Sequence, residues 1–315
     1  MRRLLGAPAL AGALLAAVLA AGCATPHTAA LRSERPTGLP DRAELAAVPF
    51  FPQEIHHCGP AALATVLAAA GVETTPEALA AQVYLPGREG ALQIEMLAAV
   101  RRNGLVAYPL APQLEGALRE VAAGTPVVVL QNLGFDFVPI WHYAVIVGYD
   151  LEQEEIVLRS GGTRRLLLSL PDFERTWARS NYWAMLALPP SRLPATASEA
   201  TFVSAAVALE RSSIPAARSA YATALARWPE NLVAEIGLGN TAYAMQDLGA
   251  AERAYRRAST DHPDAADAWN NLAQTLADLG RGGEAAAAAE RAVALGGPRK
   301  ALYEATLRDI LQRTR

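Results

Sequence analysis

Cysteine is nearly absent from this 315-residue chain: only Cys23 and Cys58 occur, so no disulfide framework supports the fold. Thiol chemistry then has two places to reside. Aromatic residues are scarce at 6%, although 52% of the chain is hydrophobic, and the excess is largely alanine. That balance predicts helices packed through small side chains more than a large aromatic core. Charge of one sign is also lacking. The net charge of −3 and the absence of any Lys/Arg cluster beyond the amino-terminus leave no basic field, which argues against a nucleic-acid partner. No Walker-type motif occurs, and Gly161-Gly162 is too short to cradle phosphate. The length suggests about two domains.

The amino-terminus is the one long apolar run. Met1-Arg2-Arg3 precedes Leu4 to Ala21, a charged and then an apolar region of the kind a secretory signal carries. It ends in Leu19-Ala20-Ala21-Gly22-Cys23, which resembles the lipobox of bacterial lipoproteins, with alanine at the third position before the cysteine where leucine is usual. That resemblance implies cleavage after residue 22, lipidation of Cys23 and a membrane attachment. Loss of Arg2 and Arg3 would take the charge from −3 to −5, and Cys58 would be left as the free thiol. Ala24, where retained lipoproteins carry Asp, implies the outer membrane of a bacterial envelope, facing the periplasm. Residues 23–41, with Pro26, Pro36 and Gly38, are expected to be a flexible tether.

Residues 42–190 mix helical and strand signals. Helices are expected over Cys58 to Ala70, from the Thr75 cap and Pro76 onward, over Ala91 to Asn103 and over Leu114 to Ala123. Strands follow at Pro126 to Leu130, Trp141 to Gly148, Ile156 to Leu158, Arg164 to Leu168 and Tyr182 to Leu188. Helices first and an antiparallel sheet afterwards make an α+β domain. Pro189 to Pro194 punctuates the chain, and residues 191–198 read as a linker.

From Glu199 the sequence repeats. Tyr221 and Tyr255 are 34 apart, as are Ala224, Ala258 and Ala292, and Pro229 and Pro263. A period of 34 in these residue types is the pattern of tetratricopeptide helix pairs, in which small residues let helices approach and proline ends each unit. Leu302 to Leu311 is expected to cap the array, and its surface to dock a protein partner or substrate.

Chemistry concentrates in Pro52-Gln53-Glu54-Ile55-His56-His57-Cys58-Gly59-Pro60. Cys58 opens a helix, whose free N–H groups and dipole favour thiolate over thiol. A base is needed, and His142 at the start of the strand Trp141 to Tyr149 is rigidly placed and distant in sequence, as assembled sites usually are. His56 and His57 lack paired metal-ligand spacing, and no metal or cofactor is called for. Gly87 to Gly90 and Asn132 to Pro139 are expected to be loops near the cleft, with Phe135 and Phe137 as apolar substrate contacts.

These two stretches resemble the peptidase C39-like family of papain-like cysteine peptidases, over residues 47–188. The resemblance implies an α+β papain-like cysteine peptidase domain followed by an all-α tetratricopeptide repeat domain. It implies that Gln53 supplies an oxyanion donor, Cys58 attacks a peptide or amide carbonyl and His142 serves as base and acid. The family's orienting aspartate falls on Ser160, which accepts an N–H bond but brings no charge. Asp150 and Asp172 are possible substitutes. That departure leaves open a catalytically degenerate binding or adaptor lipoprotein, and acyl transfer in place of hydrolysis is also left open.

Overall fold

The structure is a computed structural model, and it describes residues 25–52, 58–88 and 90–313. Packing divides the chain into two compact units. One is Met1–Met96 with Pro109–Leu186, and the other is Leu97–Tyr108 with Ala187–Arg315. The segment Leu97–Tyr108 joins the second unit, which sequence periodicity gave no reason to expect.

The first unit begins with a correction to the expected flexible tether. Pro26–Ser33 is a helix, α1, with Thr28 and Leu31 buried. Proline at its first position supplies a preset φ, and the carboxylate of Glu174, itself fully buried, takes the free N–H groups of the first turn. His27 N–H donates to it at 2.9 Å, Thr28 N–H at 2.7 Å and Thr28 Oγ1 at 2.5 Å. Hydrogen bonds to a charged acceptor are worth about 1.5–3 kcal/mol each, enough to hold an eight-residue helix that would not persist alone. Beyond it, Arg119 Nη2 donates to Thr37 O and Tyr149 Oη to Pro40 O, so the segment leading to strand β1 (Arg42–Glu44) lies against the domain.

The helices α2 (Cys58–Ala69) and α3 (Pro76–Val83) follow, and Thr75 caps the second through Ala78 N–H as the sequence predicts. The expected loop at Gly87 to Gly90 is a small hairpin, with β2 (Tyr84–Leu85) on β3 (Gly90–Ala91) around a 3-10 turn. Helix α4 (Gln93–Arg102), strand β4 (Val106–Pro109) and helix α5 (Leu114–Ala122) come next. The sheet has the order β4-β9-β5-β6-β7-β8, and β1 is added to β6. Strands β5 (Val127–Asn132), β6 (Trp141–Asp150), β7 (Glu155–Ser160), β8 (Thr163–Ser169) and β9 (Ala184–Leu188) fall on the five stretches the sequence marks as strands. All six residues of β5 are buried, because helices cover it: α2, α5 and α6 (Leu170–Ala178) all pack on β5. Helix α6 was not expected from the sequence. Its signals are Ser169 as cap, Pro171 in the first turn and Asp172 beside it.

In the second unit Tyr108 Oη accepts the N–H of Ser198 at 3.1 Å, which ties the linker down. Seven helices follow: α7 (Glu199–Glu210), α8 (Ile214–Arg227), α9 (Leu232–Ala244), α10 (Leu248–Asp261), α11 (Ala266–Asp278), α12 (Gly282–Leu295) and α13 (Lys300–Arg313). Successive helices pack on each other, as the 34-residue period requires. The core of the last repeats is Ala251, Ala273, Ala285 and Ala289 around Tyr255 and Leu272, with Ile310 of α13 closing it. Tyr255 lies so close to Gly239 that a Cβ there would meet its ring at 2.4 Å.

One position breaks the repeat chemistry. Where the third repeat has Trp269, the second has Glu235, whose side chain is 1% exposed. Burial, and then Asp261, push its carboxyl from an ordinary 4.5 up to about 7, against the pull of Arg257 and His262. Arg257 Nε lies at 3.0 Å and His262 Nε2 at 3.6 Å. The folded form therefore holds a proton that the unfolded chain releases near 4.5. This contribution to stability is complete below that pH and is lost as pH rises through about 7. Denaturant unfolding should show the repeat unit weakening by about 1–3 kcal/mol between about pH 5 and about pH 8, and Glu235→Gln should flatten that dependence.

Candidate active site

Cys58 is the first residue of α2, and everything after it in that helix from Gly59 to Leu67 is buried. The helix is a fixed platform because its Ala/Leu/Val run, with Thr65 Oγ1 donating back to Ala61 O, leaves it no polar face to turn outward. The thiol is half-buried at the tip of the platform. The helix packs on β6, and the backbone N–H groups of Tyr143, Gly59 and Cys58 itself act on the thiol. Those donors favour the thiolate, as the helix N-terminus predicts. Burial outweighs them and pushes the thiol above its ordinary 9.0, so the expected resting thiolate is replaced by a neutral thiol.

Close approach is what brings helix and strand together. A Cβ at Gly59 would meet Ala91 Cβ at 2.7 Å and the Tyr143 ring at 3.6 Å. Tyr143 is the hub of that contact. Its hydroxyl donates to Ala91 O at 3.2 Å, and its ring stands edge-on to Trp183 at 5.7 Å. Burial, and then the negative charge Cys58 would carry, hold its phenol far above the usual range, so it stays a neutral donor.

His142 immediately precedes Tyr143 on β6 and is paired across the sheet with Gln131 of β5. Its Nε2 lies 2.8 Å from Ser160 Oγ. Ser160 ends β7 and is buried. With Nε2–H donating to that oxygen, Nδ1 keeps its lone pair and is the nitrogen left to act as a base. Burial also lowers the imidazole below its ordinary 6.5. The resting pair is thus thiol and neutral imidazole.

The two other carboxylates considered for the orienting role are elsewhere. Asp150 ends β6, eight residues beyond His142 or about 26 Å along a strand, where it accepts the N–H groups of Glu152 and Gln153. Asp172 sits in the first turn of α6, bonded to Ser169 and Arg175. Gln53, His56, His57 and Cys23 lie outside the described residues, as does the signal region before Thr25.

Two participants were not legible from the sequence. Arg159, beside Ser160, is buried and donates Nη2 to Val48 O at 3.1 Å and Ala46 O at 3.3 Å. It fastens the segment that leads toward Gln53. Gly59 was read only as part of a motif, whereas its role is steric. The segment Asn132 to Pro139, expected to contact substrate, is a hairpin apex with Phe135 and Phe137 projecting into solvent, 64% and 82% exposed.

A helix bearing a thiol against an antiparallel sheet bearing an imidazole and its hydroxyl partner is the arrangement of a cysteine-peptidase-like domain. Residues 45–181 match the model of the Peptidase C39 like family, and residues 236–299 match a tetratricopeptide repeat model. The chain is thus a C39-like peptidase domain followed by tetratricopeptide repeats. Among solved structures it is similar to a proposed C39-like peptidase from Bacillus anthracis, at 20% identity and a TM-score of 0.41, over 47% of this chain and 98% of that one. The type III secretion chaperone SycD of Yersinia enterocolitica, in complex with a peptide of the translocator YopD, matches at 18% identity and a TM-score of 0.35. That match covers 38% of this chain and 98% of the chaperone. A mutant O-GlcNAc transferase of Thermobaculum terrenum matches at 25% identity and a TM-score of 0.34, over 37% of this chain and 23% of that one. No curated protein matches the sequence.

The contact at Gly59 yields a measurable expectation. Gly59→Ala should destabilise the domain by about 1–3 kcal/mol through overpacking, and Ala91→Gly in the same chain should recover much of that loss. Urea unfolding of the two single variants and the double variant checks it.

Proposed function

We propose that this protein is a lipid-anchored, extracytoplasmic cysteine hydrolase of peptide or amide bonds, with its repeats docking the protein substrate. The observation that carries the reading is the His142 Nε2 to Ser160 Oγ contact of 2.8 Å, made one residue from Tyr143, whose ring packs beside Gly59, next to Cys58. As the sulfur attacks a carbonyl carbon, Nδ1 of His142 takes the thiol proton. The Gln53 amide and the Cys58 backbone N–H are the donors for the oxyanion. Collapse expels the amine, which takes the proton back from His142, and water then hydrolyses the thioester by the same route in reverse. Ser160 keeps the ring oriented and the proton on Nε2. Cys23 carries the lipid and sets the periplasmic face of the outer membrane as the place of action.

A neutral resting pair and an uncharged orienter favour a second reading, in which the domain binds peptides without turnover. Labelling with a thiol-directed acylating probe separates the two. The hydrolase reading expects Cys58→Ala to abolish labelling, His142→Ala to slow it about 10²–10⁴-fold, and Ser160→Ala to slow it less. If native Cys58 reacts no faster than a free thiol, the binding reading stands.

The rate needs neutral imidazole. It should therefore climb as pH rises through a value below 6.5 and stay level until the thiol ionises above 9.0. Ser160→Asp would stabilise the imidazolium and move the acid limb to higher pH. Metabolic labelling with a radioactive fatty acid, lost in Cys23→Ala, tests the anchor.

A further inference from the structure

Among the described residues of the first unit, the hairpin between β5 and β6 is the most apolar exposed feature. Leu133, Phe135, Phe137, Val138, Ile140 and Trp141 are 49–82% exposed. It is a built element. Asn132 Oδ1 accepts the N–H groups of Gly134 at 3.0 Å and Ile140 at 2.9 Å. Phe135 and Val138 exchange both backbone hydrogen bonds at 3.1 Å, and the Phe135 and Phe137 rings stack at 5.4 Å. A preorganised convex apex of this composition lacks the concavity a peptide site uses, and exposed apolar patches rarely persist without an occupant.

The chain itself points to the occupant. Arg179, in the turn after α6, fastens the base of the hairpin through Asn132 O at 3.1 Å and Gly134 O at 2.6 Å. Three residues on, Tyr182 stands edge-on to His27 at 4.6 Å, and Glu174 holds the first turn of α1. The start of the described chain and the hairpin are therefore moored to one segment, residues 174–182. The residues before Thr25 comprise the apolar run Leu4 to Ala21 and Cys23. The described chain begins beside the segment that also holds the base of the hairpin.

We infer that this hairpin inserts into the surface of the phospholipid bilayer, as a second attachment beside the amino-terminal one. The inference rests on the lipid-anchor reading. Stacked phenylalanines and a flanking tryptophan suit the acyl and headgroup levels respectively, and two weak attachments make a stable one. The carboxylate of Asp136 at the apex limits the depth to the interface.

The test uses the full chain reconstituted in vesicles of phosphatidylethanolamine and phosphatidylglycerol with brominated acyl chains. The Trp141 emission is obtained by subtracting the Trp141→Phe variant. Quenching of Trp141 by the brominated lipid is expected, and its loss in Phe135→Ser with Phe137→Ser, a pair exposed enough to leave the fold intact. Flotation on a density gradient reads the anchor separately. Chain that floats with Trp141 unquenched overturns the inference and leaves the anchor standing. Chain that neither floats nor is quenched overturns both. Shielding of Trp141 without vesicles, or by a denatured protein substrate but not by lipid, assigns the hairpin to a second copy or to substrate and overturns the inference as well.

Discussion

The contact on which the site depends is a steric one, between a residue with no side chain and the strand it must touch. Gly59 lets the start of α2 descend onto β3 and β6 until it meets Ala91 and the ring of Tyr143. Tyr143 then holds the gap at that width. Its hydroxyl is fixed to Ala91 and its ring to Trp183, so the strand cannot slide without breaking a buried donor. His142 is carried into place by the same strand. The positions of Cys58 and His142 are thus both set by how closely α2 packs on β6.

Strand β7 supports that arrangement with two adjacent residues. Ser160 meets the imidazole, and its neighbour Arg159 holds the carbonyls of Ala46 and Val48. Where a carboxylate would bind a charged ring, a hydroxyl binds a neutral one, and the lowered imidazole and raised thiol agree with it. The electrostatics of the site are internally consistent, with every shift driven first by burial.

Much of this was legible in the chain. Strand β6 and helix α2 announce themselves by unbroken apolar runs, and the helix pairs by a period of 34 that few other folds produce. The resemblance to the family places Ser160 near His142, on the strand after the histidine, and its Oγ does lie 2.8 Å from Nε2. The protonation state was not legible, because helix-terminus donors are local and visible in sequence, whereas burial depends on what the rest of the chain brings near. Helix α1 was missed for a related reason: its cap is Glu174, almost 150 residues away, and Pro and Gly nearby suggested looseness. Helix α6 did carry a local cap, a proline and apolar residues at Leu170, Phe173 and Trp177, and only its length of nine residues hid it.

The neutral thiol has a consequence for how long such a site survives. Oxidants attack the thiolate, and sulfenic acid formation and further oxidation follow its abundance and exposure. A sulfur that is half-buried and protonated at rest offers peroxide little to react with. Such a thiol can persist in a compartment that has no reductant to repair it. The burial that keeps Cys58 protonated is then also what shields it from oxidants.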